Sequence, residues 1–301
     1  MKVLIVGAGW AGLAAAIETT RLGHHATVLE ATRAIGGRAR ALKVPLLNGP
    51  EATLDNGQHI LIGAYSETLR LLHDVGVDTG AALHRLPLSL RYPDGHGLTL
   101  PDWQVPWFAG LDVAAGVLSA KGWTLGDKLS VLRAADAWRR GGFACPAHYS
   151  VARLCQGITP RVMQEMIDPL VVSALNTPSD RASASVFLTV MRDALFAAPT
   201  SAAGQRVAGS NMLLPRTDLG ALFPDAAARW LAAQGARLLL GQRLSSLDSL
   251  SISELLAQYP IGLEAEKACE FDATILAVPA WEAARLVRTL APGHATEATV
   301  A

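Results

Sequence analysis

One segment near the N-terminus restricts the fold of this 301-residue chain more than any other. Val3-Leu4-Ile5-Val6 is a continuous apolar run rich in β-branched side chains, the composition of a parallel strand covered on both faces. It leads into Gly7-Ala8-Gly9-Trp10-Ala11-Gly12. From about Ala11, Leu13, Ala16, Ile17 and Thr20 recur at helical spacing, and Gly23 closes the run as a helix C-cap would. The next apolar stretch, Ala26-Thr27-Val28-Leu29, ends in Glu30, near the spacing of about 20 residues at which such units carry an acid. Strand, glycine turn, helix, strand and acid together predict a dinucleotide-binding βαβ unit.

The residue types have mechanical reasons. Gly7 permits the tight turn, Gly9 lets a diphosphate approach the backbone with no Cβ in the way, and Gly12 lets the helix pack closely on the strand. The helix start at Trp10 and Ala11 presents N–H groups and the positive dipole end to the phosphates. Glu30 can accept hydrogen bonds from a ribose diol, and its charge repels a 2′-phosphate, which disfavours NADP. The plain alternative is an ordinary strand-to-helix turn. The strand, helix and acid in register favour the dinucleotide site, so the fold class is α/β with a Rossmann-like domain.

Composition narrows the classes further. Half the residues are hydrophobic, 17% are charged, and 26 basic residues balance 26 acidic ones, which argues against a disordered tail or a nucleic-acid partner. The three cysteines, Cys145, Cys155 and Cys269, are odd in number and lack metal-ligand spacing, so a reducing, cytoplasmic compartment is expected. His24 and His25 have no further ligands nearby, and no metal site is expected. The run from Lys2 to Ala16 imitates a signal peptide, but Gly7, Gly9 and Gly12 interrupt it at the spacing of the phosphate turn. No unbroken apolar stretch reaches the roughly 18–20 residues that span a bilayer.

Downstream of Glu30, the run Ala34-Ile35-Gly36-Gly37-Arg38 resembles the second glycine motif of the FAD-dependent amine oxidase and phytoene desaturase superfamily. In that superfamily the Gly-Gly-Arg turn lies against FAD and the arginine helps to hold it; the alternative is a surface turn with a solvated arginine. The segments Asp55-Asn56-Gly57-Gln58-His59-Ile60-Leu61, Asp168-Pro169-Leu170 through Asn176-Thr177-Pro178, Arg181-Ala182-Ser183 and Ser210-Asn211-Met212-Leu213-Leu214-Pro215-Arg216 are similar to the squalene-associated FAD-dependent desaturases, the hydroxysqualene dehydroxylases of bacterial hopanoid biosynthesis. The resemblance extends from Met1 to about Leu290.

That resemblance implies FAD as cofactor, an apolar isoprenoid substrate, an electron donor for the flavin, and reductive removal of a hydroxyl from hydroxysqualene. It implies that Gly57, Gln58 and His59 lie near the flavin ring, and that the backbone at Leu244 meets the adenine. A departing hydroxyl needs a proton, which makes His59 the first candidate acid, oriented by Asp55; the alternative is that both merely hydrogen-bond a turn. Asp168 is a weaker candidate, read as a helix or turn cap.

A discontinuous FAD-binding domain over 1–80 and 211–301 is expected around an inserted, largely helical α+β substrate domain over 81–210. Pro101, Trp103, Pro106, Trp107, Phe108 and Trp123 punctuate the latter, as a core patch or as a peripheral contact with the inner membrane face. Helical periodicity resumes through Leu125, Leu129, Leu132 and Ala135. Helices are expected over 66–75, 223–234 and 281–290, and strands at 52–54, 237–240 and 272–279. The superfamily's closing Gly-Asp FAD signature is not found after Pro279, so the C-terminal part of the FAD domain is expected to be missing. The alternatives to a dehydroxylase are a carotenoid-type desaturase, an amine oxidase, or a catalytically silent flavoprotein fragment.

Overall fold

The computed structural model describes residues 1–47, 49–101, 103, 110–197, 200–202, 205–247, 252 and 271–288. Its organising element is a four-stranded parallel sheet. The first strand, Lys2–Val6, lies between His25–Glu30 and Ala273–Leu276, and Arg237–Leu240 pairs with the far side of His25–Glu30. Ile5 stands opposite Val28 on one side and Ile275 on the other. Leu4, Ile5 and Val28 are fully buried, and large aliphatic side chains so placed contribute about 1.5–3 kcal/mol each. Burial on both faces is why these strands read as unbroken apolar runs rather than as alternating ones.

The helix Trp10–Arg21 turns Leu13, Ala16 and Ile17 inward and packs beside the helix Pro224–Ala233. Gly23 and Gly235 end the two helices with left-handed backbone, φ +77° and +79°, a conformation glycine adopts without a Cβ penalty. The helix expected at 281–290 is Ala280–Val287; Leu290 and the polar end at 291–301 lie outside the described residues.

The chain divides into two compact units. The first comprises Met1–His59, Arg70–Ala82 and Pro215–Ala301; it holds the parallel sheet and the antiparallel hairpin Ala41–Val44 with Ala52–Asp55. The second comprises Ile60–Leu69 and Leu83–Leu214. Ile60–Leu69 fall there because Leu61-Ile62 pair with Met212 and Leu213 in a three-stranded sheet that also contains Leu83–Leu86. The second unit is mostly helical, with fully buried Val151, Val162, Ile167, Val171, Phe187 and Leu188 in its core.

The helix predicted from Leu125 is present as Leu125–Arg140, but its inward face differs from the leucine stripe. Asp127, Val131 and Trp138 point inward, while Leu125 and Leu129 are exposed. Asp127 sets this rotation. It forms a capping box with Thr124, and its other carboxylate oxygen accepts the Thr159 hydroxyl at 2.6 Å. Of the expected aromatic patch, Trp123 is buried and Trp103 is exposed; Pro106, Trp107 and Phe108 lie outside the described residues.

Candidate dinucleotide site

The end of the first strand, the glycine turn and the start of the first helix form one corner, and the three glycines there answer to different constraints. Gly7 has φ +106°, and a Cβ on it would fall 2.5 Å from the Ala277 carbonyl oxygen. A Cβ on Gly12 would overlap the Gly7 carbonyl. These two are required by the protein's own packing. Gly9 is not: its φ is −72°, and the nearest atom a Cβ would meet is the Gly37 Cα at 3.8 Å, an ordinary contact. Space is left open at Gly9 that no side chain among the described residues uses.

The second glycine turn closes on the first. The Gly36 N–H donates to the Ala8 carbonyl at 2.8 Å, Gly9 bridges to Gly36, and a Cβ on Gly37 would stand only 3.0 Å from the Gly9 Cα. Gly36 and Gly37 both adopt positive φ, +98° and +60°. Pro224 lies against Gly36, and the Phe223 ring packs on Trp10 with centroids 4.9 Å apart.

Glu30 reaches into the same corner. One carboxylate oxygen accepts the Ala8 N–H at 2.8 Å, and the other accepts the Thr32 N–H and hydroxyl, each at 2.9 Å. Three donors leave part of the carboxylate's accepting capacity unused.

These residues fit a bound dinucleotide. The helix begins at Gly9 with no side-chain cap, leaving its first N–H groups to a ligand. Gly9 keeps room for a diphosphate. The Trp10 indole N–H is buried without a hydrogen-bond partner among the described residues, an orphan that an acceptor on a bound group would satisfy.

Asn56 and Gly57 join the second turn. The Asn56 side chain donates to the Arg38 carbonyl at 3.1 Å, and its backbone N–H donates to the Arg40 carbonyl. Gly57 sits beside the Arg38 carbonyl and the His59 ring. The Arg38, Gln58 and His59 side chains are exposed.

The structure corrects the role expected for Asp55. Its carboxylate accepts the Leu219 N–H at 2.7 Å, while His59 Nδ1 bonds the Gly57 carbonyl at 2.8 Å, so Asp55 does not orient the imidazole. Asp55 ends the hairpin strand Ala52–Asp55, where the start of the helix Leu219–Leu222 needs an acceptor, and the turn's own carbonyl satisfies His59.

Leu244 is buried among Leu4, Val6, Leu29 and Leu286, and its carbonyl accepts Arg285 Nη2 at 2.8 Å. That carbonyl is already engaged within the chain.

Asp168 is not a cap either. Ile167 before it is itself helical, so Asp168 continues a π-helical turn, Met163–Ile167, and meets no free helix start. Its Oδ1 is buried without a hydrogen-bond partner among the described residues. Cys155 is buried in the same unit; burial first, and the Asp168 charge second, push its thiol up to about 12. Cys145 is partly exposed and unbridged, and Cys269 lies outside the described residues. No cluster of three metal-ligating side chains occurs among the described residues.

Sequence reasoning placed Ala277 in the strand 272–279 and Phe223 in the helix 223–234 but missed their contacts with Gly7 and Trp10, and it missed Thr32. Thr32, two residues after the acid, was visible as a hydroxyl able to hold Glu30. Nothing local marks the other two contacts, which arrive from late in the chain.

Known proteins resemble this chain over most of its length. Hydroxysqualene dehydroxylase of Sinorhizobium fredii is 28% identical over 98% of this chain and 64% of its own length. The hydroxysqualene dehydroxylase of Zymomonas mobilis is 26% identical over 94% of this chain and 63% of its own. The chain thus spans a little under two thirds of these relatives. An oxidoreductase from Methanosarcina mazei shares the fold, with a TM-score of 0.55 at 17% identity over 82% of this chain and 52% of that one. The profile of the family described as "Flavin containing amine oxidoreductase" matches residues 10–299, and the cofactor that this family implies is FAD. The chain belongs to the flavin containing amine oxidoreductase family.

Proposed function

We propose that this chain acts in an FAD-dependent oxidoreductase that removes the hydroxyl of hydroxysqualene reductively to give squalene. The observation that carries the cofactor half of this reading is the unused space at Gly9, facing an uncapped helix start. The substrate half rests on similarity to the two dehydroxylases over nearly the whole of this chain.

In this reading the first unit is the FAD-binding domain, and the second is an inserted substrate domain. Gly7, Gly9, Trp10, Ala11 and Gly12 receive the diphosphate, Glu30 the adenosine ribose, and Gly36, Gly37, Arg38, Gly57 and Gln58 flank the flavin end. Leu244 would offer the adenine its N–H, since its carbonyl holds Arg285. Bound and reduced, FAD supplies the hydride. His59, exposed beside Gly57, is the group that delivers a proton to the leaving hydroxyl, because hydroxide departs poorly. A long isoprenoid offers few hydrogen bonds, so its binding rests on apolar burial.

The test has two stages. The purified chain, mixed with FAD and desalted, should retain flavin absorption, and then convert hydroxysqualene to squalene when given a reductant. A colourless protein refutes the cofactor reading. Retained flavin without product, where phytoene or a primary amine is oxidised instead, moves the activity to the desaturases or amine oxidases. His59→Gln should slow turnover with little change in folding, whereas Asp55→Ala should lower stability by about 1–3 kcal/mol through the orphaned Leu219 N–H.

A further inference from the structure

We propose that the corner between the helices Leu111–Ser119 and Leu125–Arg140 docks on an anionic phospholipid surface. The inference is independent of the reaction assigned above. Four leucines stand out here: Leu111 is 51% exposed, Leu118 59%, Leu125 78% and Leu129 47%. Single exposed leucines need no explanation, but a group of them does.

Their placement makes them one surface. Leu111 and Leu118 are seven residues apart, so they share a face of the first helix two turns apart. Leu125, Leu129 and Arg133 follow one another at intervals of four on the second helix and share its outer face. Lys128 joins the two helices, its Nζ donating to the Leu118 carbonyl at 2.7 Å.

The charge around the leucines selects the partner. From Leu111 to Arg140 the basic residues are Lys121, Lys128, Arg133, Arg139 and Arg140, and the acids are Asp112, Asp127 and Asp136, of which Asp136 pairs with Arg140 at 2.6 Å. Asp127 is 7% exposed and held beneath the surface by Thr124 and Thr159. The exposed corner therefore combines apolar side chains with a net positive charge. Leucines can enter the boundary between headgroups and acyl chains while lysine and arginine heads remain with the phosphates. A second copy of the chain fits less well, because a two-fold contact through this patch would bring like charges together.

Vesicle flotation tests the proposal with the purified chain. It should float with vesicles of phosphatidylcholine mixed with phosphatidylglycerol, float far less with phosphatidylcholine alone, and lose binding as salt rises. Replacing Leu125→Ser and Leu129→Ser together should weaken partitioning by at least about tenfold, and Arg133→Gln by about fivefold. Circular dichroism and the melting temperature of each variant should match those of the wild type, since the positions are exposed. Leu46→Ser with Leu47→Ser, at the exposed tip of the first unit's hairpin, should leave binding unchanged. The proposal is overturned if the chain stays with the soluble fraction at both compositions. It is equally overturned if only the hairpin variant loses binding, or if the leucine substitutions dissociate a dimer and leave flotation untouched.

Discussion

The Glu30 carboxylate accepts the Ala8 N–H at 2.8 Å, which ties the end of the second strand to the middle of the glycine turn. The acid at this position therefore has a structural task of its own. It fixes the turn, and its second oxygen holds Thr32.

Glu30→Gln should accordingly affect both the turn and the ligand. A hydrogen bond to a charged group contributes about 1.5–3 kcal/mol, and the neutral amide keeps only part of that. Amide exchange at Ala8 and Thr32 should accelerate in the variant without FAD, and the FAD dissociation constant should rise about tenfold. Unchanged protection at both amides would contradict the structural role.

Gly9→Ala and Gly12→Ala should separate ligand space from packing space. The new methyl at Gly9 meets only the Gly37 Cα at 3.8 Å, so stability should change by less than about 1 kcal/mol, while FAD titration shows at least about tenfold weaker binding. At Gly12 the methyl overlaps the Gly7 carbonyl, and the cost should exceed about 3 kcal/mol. Equal losses of melting temperature in the two variants would count against this division.

Asp127 gives the second unit an acid limb. The Thr159 hydroxyl first, then the hydroxyl and backbone of Thr124, hold its carboxyl below the usual aspartate range. A depressed folded pKa adds stability that is present above the unfolded value, about 4, and is lost as the pH falls through the folded one. Asp127→Ala should cost about 1–2 kcal/mol near neutrality through the lost cap. Melting curves should show the gap between variant and wild type narrowing below about pH 4; a constant gap would remove the ionised carboxylate from the explanation.

Cys155 should be chemically silent in the folded chain. Its thiol, pushed up to about 12 by burial and by Asp168, carries almost no thiolate at about pH 8. Peptide mapping after iodoacetamide should find Cys145 alkylated and Cys155 unmodified in the native protein, with both modified in guanidinium. Native labelling of Cys155 at the rate of Cys145 would mean that the second unit opens readily.

The sequence by itself determined the βαβ unit, the glycine stops and the acid at its end, because apolar periodicity, positive φ and close backbone approach act within a few residues. Gly7 and Gly12 could be read as steric requirements before any coordinates. What they press against could not. Ala277 reaches Gly7 only because Ala273–Leu276 pairs in parallel with the first strand, and Phe223 reaches Trp10 from the far side of the second unit's sequence. Tertiary structure likewise decided that Asp55 serves Leu219 rather than His59, and that Leu125 and Leu129 face outward while Asp127 faces in. In each case several faces or partners satisfied the local pattern equally well. The hydrogen bonds and burial available in the folded chain selected one of them.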